Sequence, residues 1–283
     1  MNTILNIMPR TPLYNNSGML WRFKDRMKIA NNGNKIIKEL NLSVYRVNIP
    51  CNVYTKAYNR NIETAKYVSG VKNSPLALNI WRMLDYTKFS EYQKKFFAFS
   101  VVKSIKLFLA LRGKNISNSC IAIYDAKDKI NYYIIEELSK VAKYIVLVSF
   151  DIYTVKKIRE KIIINYGVTP IITREYDFAI NKADFIITSK DIDPQNNKKN
   201  IWYVNDRYIP KNRHNMDVNK VLYKVPWNME GLETNIQNLS AILNIIGSSE
   251  VERDLKANDI YIDDFGFNIK CNKVNEIQNV DIK

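Results

Sequence analysis

The sequence predicts an α/β protein of two domains, the second built on a parallel sheet. Three observations carry that expectation. From Cys120 onward, short apolar runs alternate with segments of helical periodicity. Residues 1–119 hold 20 Lys and Arg against five Asp and Glu, while residues 120–283 hold 23 of each, so the whole net charge of +15 lies in the first part. Between the two parts runs Phe96–Leu111, an apolar stretch of helical length. These features divide the chain into a basic N-terminal α/β domain over 1–95, an interdomain helix and linker over 96–119, a parallel-sheet domain over 120–228, and a C-terminal helix with its tail over 229–283.

Met1–Pro9 has no basic region and too short an apolar run for a signal peptide. Gly18–Lys28 interleaves Arg22, Lys24, Arg26 and Lys28 with Trp21 and Phe23. Aromatics among cations can stack on bases and meet phosphates, which makes these four cations candidate polyanion contacts. The simpler reading is an amphipathic element whose Leu20, Phe23, Met27 and Ile29 face a core. Asn31–Asn34 follows as a turn, Val44–Asn52 as a strand meeting a proline, and Tyr58–Val68 as a helix. In Phe96–Leu111, Lys103 and Lys106 interrupt an apolar run already shorter than the roughly 20 residues of a membrane span. We expect a buried helix with snorkelling lysines; the alternative, with Lys94 and Lys95 added, is a helix lying at a membrane interface.

The second half reads as a strand Ile121–Tyr124, a helix Ile130–Val141, a strand Tyr144–Ser149 and a helix Thr154–Tyr166 stopped by Gly167. A strand Thr169–Thr173, a short helix Tyr176–Ala183, and strands Asp184–Thr188 and Ile201–Asn205 complete the alternation. Repeated β-α-β units with short connections give right-handed crossovers and a parallel, Rossmann-like sheet. Its loops Asp125–Lys129, Ser149–Thr154, Thr173–Tyr176 and Thr188–Asp193 share the carboxyl edge, where such sheets bind ligands. Asn235–Ile246 is a further helix, and the tail beyond Glu250 is polar with little periodicity.

The first of those loops, Asp125–Ile130, contains no glycine. A Gly-x-Gly-x-x-Gly loop works because bare backbone admits a pyrophosphate to the amides of a helix N-terminus. Here Asp125 and Asp128 would face that dianion, a repulsion of a few kcal/mol at contact in a protein-like dielectric, offset in part by Lys127 and Lys129. Asp151 ends the next strand where an acidic residue binds an NAD ribose; it is read in preference as a helix N-cap with Thr154 behind it.

Three scattered cysteines (Cys51, Cys120, Cys271) argue against a disulfide framework and for the cytoplasm. A single histidine, His214 in a polar loop, leaves no zinc site, and the adjacent Asp263 and Asp264 point apart in a strand, so no metal is expected.

The segments Arg46-Val-Asn-Ile-Pro-Cys-Asn52 and Glu63–Asn73 carry a resemblance to the shikimate dehydrogenases: the first looks like that family's Asn-Val-Thr-x-Pro-x-Lys, and the second is similar to the approach to its Gly-Ala-Val-Asn-Thr segment. Val146–Asp151 resembles the strand ending in Asn-Arg-Thr, and Ala183–Ser189 the Asp-Ile-Val-Ile-Asn-Ala strand. The resemblance implies a two-domain dehydrogenase scaffold using NAD(P), with a lysine after the proline transferring protons beside an aspartate of a later Asn-Thr-Asp. At that lysine position stands Asn52, Lys56 is four residues further on, and no Asn-Thr-Asp occurs.

A site without its acid–base group or its phosphate cradle is not expected to transfer hydride. The reading we adopt is therefore a non-catalytic binding or regulatory protein that needs no cofactor and meets a protein or polyanion partner. One alternative is an NAD(P)-dependent oxidoreductase with an unorthodox loop, using Asp125, Lys127, Asp151, Thr154 and Thr188 for the cofactor and Lys56 for catalysis. Another is polyanion binding, to nucleic acid or an acidic membrane, through Arg22, Lys24, Arg26 and Lys28.

Overall fold

The computed structural model describes residues 2–78, 86–190, 192, 200–205, 217–267 and 270–273. The fold is α/β and divides into two compact units, Met1–Gln93 with Lys224–Tyr261, and Lys94–Tyr223 with Ile262–Lys283.

The first unit begins with β1 (Asn2–Tyr14), α1 (Met19–Lys28), β2 (Ala30–Ile37), β3 (Leu42–Asn52), α2 (Thr55–Ser69) and β4 (Leu76–Leu78). Its sheet runs β2-β3-β1-β4, with β1 parallel to β3 and β4, and β2 antiparallel to β3. The expected Asn31–Asn34 turn is instead an irregularity inside β2: the register shifts between Asn31 and Asn34, and Gly33 takes φ +81°. β3 is buried almost continuously, the pattern of a central strand covered on both faces. α2 lays Ala57, Tyr58, Ile62 and Ala65 on that sheet and stops at Gly70, whose φ of +71° suits a residue without Cβ.

α3 (Glu91–Leu111) carries the chain into the second unit. There β5 (Cys120–Tyr124), α4 (Lys129–Ser139), β6 (Tyr144–Val148), α5 (Ile152–Tyr166), β7 (Ile171–Thr173), α6 (Tyr176–Lys182), β8 (Phe185–Thr188), β9 (Asn200–Tyr203) and β10 (Lys220–Lys224) follow. The five strands β5 to β9 are all parallel in the order β7-β6-β5-β8-β9, a Rossmann-like arrangement whose switch point lies between β5 and β8. Ala122, Val146, Ile186 and Ile201 pack with Ala179 and Ile180 of α6. The intervening residues meet α3: Phe108 sits edge-on to Phe185 at 5.3 Å, Phe97 to Trp202 at 5.6 Å, and the Trp202 indole donates to Ser104 Oγ at 3.0 Å. α3 is thus the buried helix expected, with Lys106 exposed.

The chain returns to the first unit with α7 (Ile236–Ile246), packed on β1 and β4, and α8 (Val251–Ala257). α7 ends at Gly247, where a Cβ would stand 2.6 Å from the Leu243 carbonyl and 2.3 Å from Asp254 Oδ2. The tail beyond Glu250 holds more structure than its polarity suggested, namely α8 and an antiparallel pair, β11 (Tyr261–Phe267) and β12 (Lys270–Lys273). Along β11, Asp263 is exposed and Asp264 buried, as a strand's alternation requires. His214 and Asp193 lie outside the described residues.

Candidate functional site

At the switch point, the glycine-free loop is stabilised by its own side chains. Asp125 adopts φ +54°, the left-handed region that glycine would otherwise supply and that Asp tolerates better than most residues. Its carboxylate pairs with Lys190 Nζ at 3.1 Å. Ala126 is fully buried and its amide donates to the Val148 carbonyl at 3.0 Å, which ties the loop to β6. Asp128 caps α4: its Oδ1 accepts from the Ile130 amide at 3.2 Å, and its carbonyl accepts from the Asn131 amide at 2.9 Å. The amides of Ala126, Asp128, Ile130 and Asn131 are therefore engaged internally rather than offered to a phosphate. Asn131, buried beneath, donates from Nδ2 to the carbonyls of Tyr124 and Asp125 at 3.2 and 3.0 Å.

The other cofactor candidates lie on the same sheet edge in similar internal contacts. Asp151 is the N-cap of α5, accepting from the Thr154 amide at 3.1 Å and its hydroxyl at 2.9 Å. Those two bonds, with the charge of Lys127 beyond them, hold the Asp151 carboxyl below its ordinary value. Thr188, the last residue of β8, donates its hydroxyl to the Lys190 carbonyl at 2.7 Å and accepts from the Lys190 amide at 3.1 Å. Lys56 is exposed in the first turn of α2, in the other unit.

In the first unit, α1 departs from the simpler expectation. Met19, Leu20, Phe23 and Met27 are 81, 79, 68 and 73% exposed, and of the four residues expected to face a core only Ile29 is buried. The helix's own buried residue is Asp25, at 0% exposure. Its carboxylate accepts from the Tyr14 hydroxyl, from Asn52 Nδ2 at 2.9 Å and from Asn61 Nδ2 at 3.2 Å. Burial, then the bond to Asp25 and its charge, push the Tyr14 phenol well above its ordinary value. Asn52 also donates to the Asn16 carbonyl at 2.9 Å and accepts from the Asn16 and Tyr54 amides, each at 3.2 Å, so every polar position of its amide is used. Sequence reasoning missed Asp25 because one acid among four cations looks like a solvated member of the charged face.

Beside α1 lies a groove of about 680 Å³, lined from α1 by Met19, Arg22, Phe23 and Arg26 and from α2 by Arg60 and Tyr67. Glu63 reaches it as well but is shared between Lys66 at 3.1 Å and Lys88 at 3.8 Å. Arg22, Arg26 and Arg60 have no carboxylate partner among the described residues. The structure thus brings two of the four candidate cations together in one groove. On the other side of the helix, Lys24 lies over the Trp21 ring at 4.9 Å and Lys28 over the Tyr14 ring at 5.5 Å. Among the described residues, no cluster of His, Cys, Asp and Glu suits a metal ion.

No family model and no curated protein matches the chain. Among solved structures, an aspartate transcarbamoylase from Trypanosoma cruzi in complex with carbamoyl aspartate and phosphate is 14% identical over 74% of this chain and 72% of its own, with a TM-score of 0.34. An L-tryptophan dehydrogenase from Nostoc punctiforme is 13% identical over 66% of this chain and 56% of its own, with a TM-score of 0.30. Likeness at this level carries no argument about activity.

Proposed function

We propose that this chain is a non-catalytic binding protein on a dehydrogenase-like scaffold, and that it holds an anionic partner through its basic N-terminal unit. The observation that carries the reading is Asn52. At the position where the shikimate dehydrogenase motif would have its proton-transferring lysine stands an amide whose polar atoms are all engaged, with Asp25 of α1, with Asn16 before that helix and with Tyr54 before α2. An amide neither gives nor takes a proton at ordinary pH, so the residue has exchanged acid–base chemistry for architecture. Kinship with that family remains part of the proposal. The switch-point loop supports the same reading, because a dinucleotide's pyrophosphate would have to displace the Asp128 cap and meet the Asp125 carboxylate. A reducing, cytoplasmic setting, expected from the sparse and scattered cysteines, belongs to the same reading.

Thermal unfolding with millimolar NAD, NADH, NADP and NADPH tests the proposal. A ligand at about a hundred times its dissociation constant would stabilise the native state by about 2.7 kcal/mol, an easily read rise in Tm. We expect no rise with any of the four. Reproducible NAD(P)H oxidation coupled to reduction of a keto acid would overturn the reading and restore the oxidoreductase alternative.

A further inference from the structure

We propose that α1 is an interfacial helix that docks the protein on an anionic lipid surface, with the arginine groove receiving a lipid phosphate. The inference rests on the binding-protein reading above and names the partner.

The argument begins with how the helix is hung. With successive residues about 100° apart, Met19, Phe23, Met27 and Leu20 form one continuous stripe. Opposite that stripe, Asp25 is tied to Tyr14, Asn52 and Asn61, and Trp21 rests on the Tyr14 ring at 5.2 Å. The polar anchor therefore fixes the apolar stripe outward. Arg22 and Arg26 border it on one side and Lys24 and Lys28 on the other, and α1 exposes no acidic residue.

A surface helix of a globular protein normally turns its apolar stripe inward. An outward stripe flanked by cations on both sides matches the layering of a membrane interface, where apolar side chains enter about 5–10 Å and cations remain at the level of the phosphates. Arg22, Arg26 and Arg60, without carboxylate partners among the described residues and converging on one groove, offer the forked donors that phosphate oxygens accept.

Other occupants fit less well. A second copy would set the same four cations of α1 against one another across a two-fold axis. A nucleic acid offers phosphates but no apolar layer for Met19, Leu20, Phe23 and Met27, and Trp21 already lies against the Tyr14 ring. An acidic protein would need an apolar groove with carboxylates along both rims. A bilayer containing anionic lipid supplies both components without any such shape.

The test is co-sedimentation of the full chain with vesicles of phosphatidylcholine alone and of phosphatidylcholine mixed with phosphatidylglycerol. Binding should need the anionic lipid and weaken as salt rises. Substituting Met19, Phe23 and Met27 together by Ser keeps every charge and should weaken binding by about tenfold or more. Substituting Arg22, Arg26 and Arg60 by Gln keeps the stripe and should cost about fivefold per cation. Both variants change exposed or half-exposed side chains, and an unchanged melting temperature shows that they fold. In a Phe23→Trp variant the indole emission should shift to shorter wavelength when anionic vesicles are added.

Binding of the serine variant at the original strength would reduce the effect to charge adsorption and overturn the proposal. So would absence of binding to either vesicle, or a DNA duplex or polyglutamate whose binding falls by the same factor in the serine variant, which would give the face to a nucleic acid or an acidic protein. The cofactor experiment reports on the switch point of the other unit. A vesicle failure without a cofactor rise sinks this inference alone, whereas cofactor turnover sinks the binding-protein reading whatever the vesicles show.

Discussion

α3 buries Phe96, Phe97, Phe108 and Leu109 and sends Lys106 to the surface, whereas α1 buries a carboxylate and sends Met19, Leu20, Phe23 and Met27 outward. Both helices mix large apolar side chains with cations, and both are consistent with either outcome from periodicity alone. The difference lies in what each helix meets. α3 meets rings, Trp202, Phe185 and Tyr223, so removing apolar surface from water holds it in place. α1 meets donors, the hydroxyl of Tyr14 and the amides of Asn52 and Asn61, so a buried acceptor is required of it, and Asp25 supplies one. A 3.6-residue period tells which side chains share a face; the chemistry of the docking site decides which face turns inward.

The largest effect that tests this contrast is expected at Trp202. Truncation to Ala removes a fully buried indole together with its contact to Phe97 and its bond to Ser104, and should cost about 3–5 kcal/mol of stability in a urea titration. A loss below about 1 kcal/mol would be that of an ordinary surface change and would show that α3 is held by something other than its aromatic face. Asp25→Ala comes next. It strips the acceptor from three donors, two of them amides buried beside it, and should cost about 3 kcal/mol. Because the stripe is fixed by that anchor, the same variant should also lose anionic vesicle binding although every cation remains. Wild-type vesicle binding by a folded Asp25→Ala protein would show that the outward orientation does not depend on the carboxylate.

How far the sequence discloses this structure follows the same division. The second unit's sheet is legible because parallel strands covered on both faces are written as unbroken apolar runs, such as Ile145–Val148 and Phe185–Ile187, and because Gly167 marks the end of α5. Asp151 is legible as the cap of α5, whereas Asp128, which the sequence shows only as a charge in the loop, becomes the cap of α4 because that helix starts at Lys129 rather than Ile130. In the first unit β1 carries Pro9, Arg10 and Pro12, β2 opens with Ala-Asn-Asn-Gly, and β4 is three residues long, so none has a strand's usual signature. The candidate groove was half legible. Arg22 and Arg26 stand out as cations among aromatics, but Arg60 joins them only through the packing of α2 beside α1, and Asn52 acquires its role only once Asn16 and Asp25 are brought to it. Long-range hydrogen bonds have no period, which is why the residue that most distinguishes this site left no local signal.

The finest test sets one helix-holding carboxylate against the other. Asp25 is buried and accepts from side chains distant in sequence, while Asp151 is only half-buried and accepts from Thr154 three residues on. The Thr154 amide and hydroxyl hold the folded Asp151 carboxyl below the 3.8 of an unperturbed aspartate. A depressed carboxyl stabilises the native state above its unfolded value, and the contribution disappears as pH falls through the folded value. The Asp151→Ala penalty should therefore be present near pH 7, begin to shrink as pH falls past 3.8, and vanish only below the folded value, where both states hold the proton. Solvent and salt screen a group that still reaches water, so this should be the smallest of the effects and should decline further as salt is raised. A penalty that stays constant down to the acid limit would mean that the carboxylate's charge contributes nothing to the cap. α5 would then start where it does because of the chain's packing rather than because of Asp151, and the distinction between a helix held by its own cap and one held by a distant anchor would lose its simpler half.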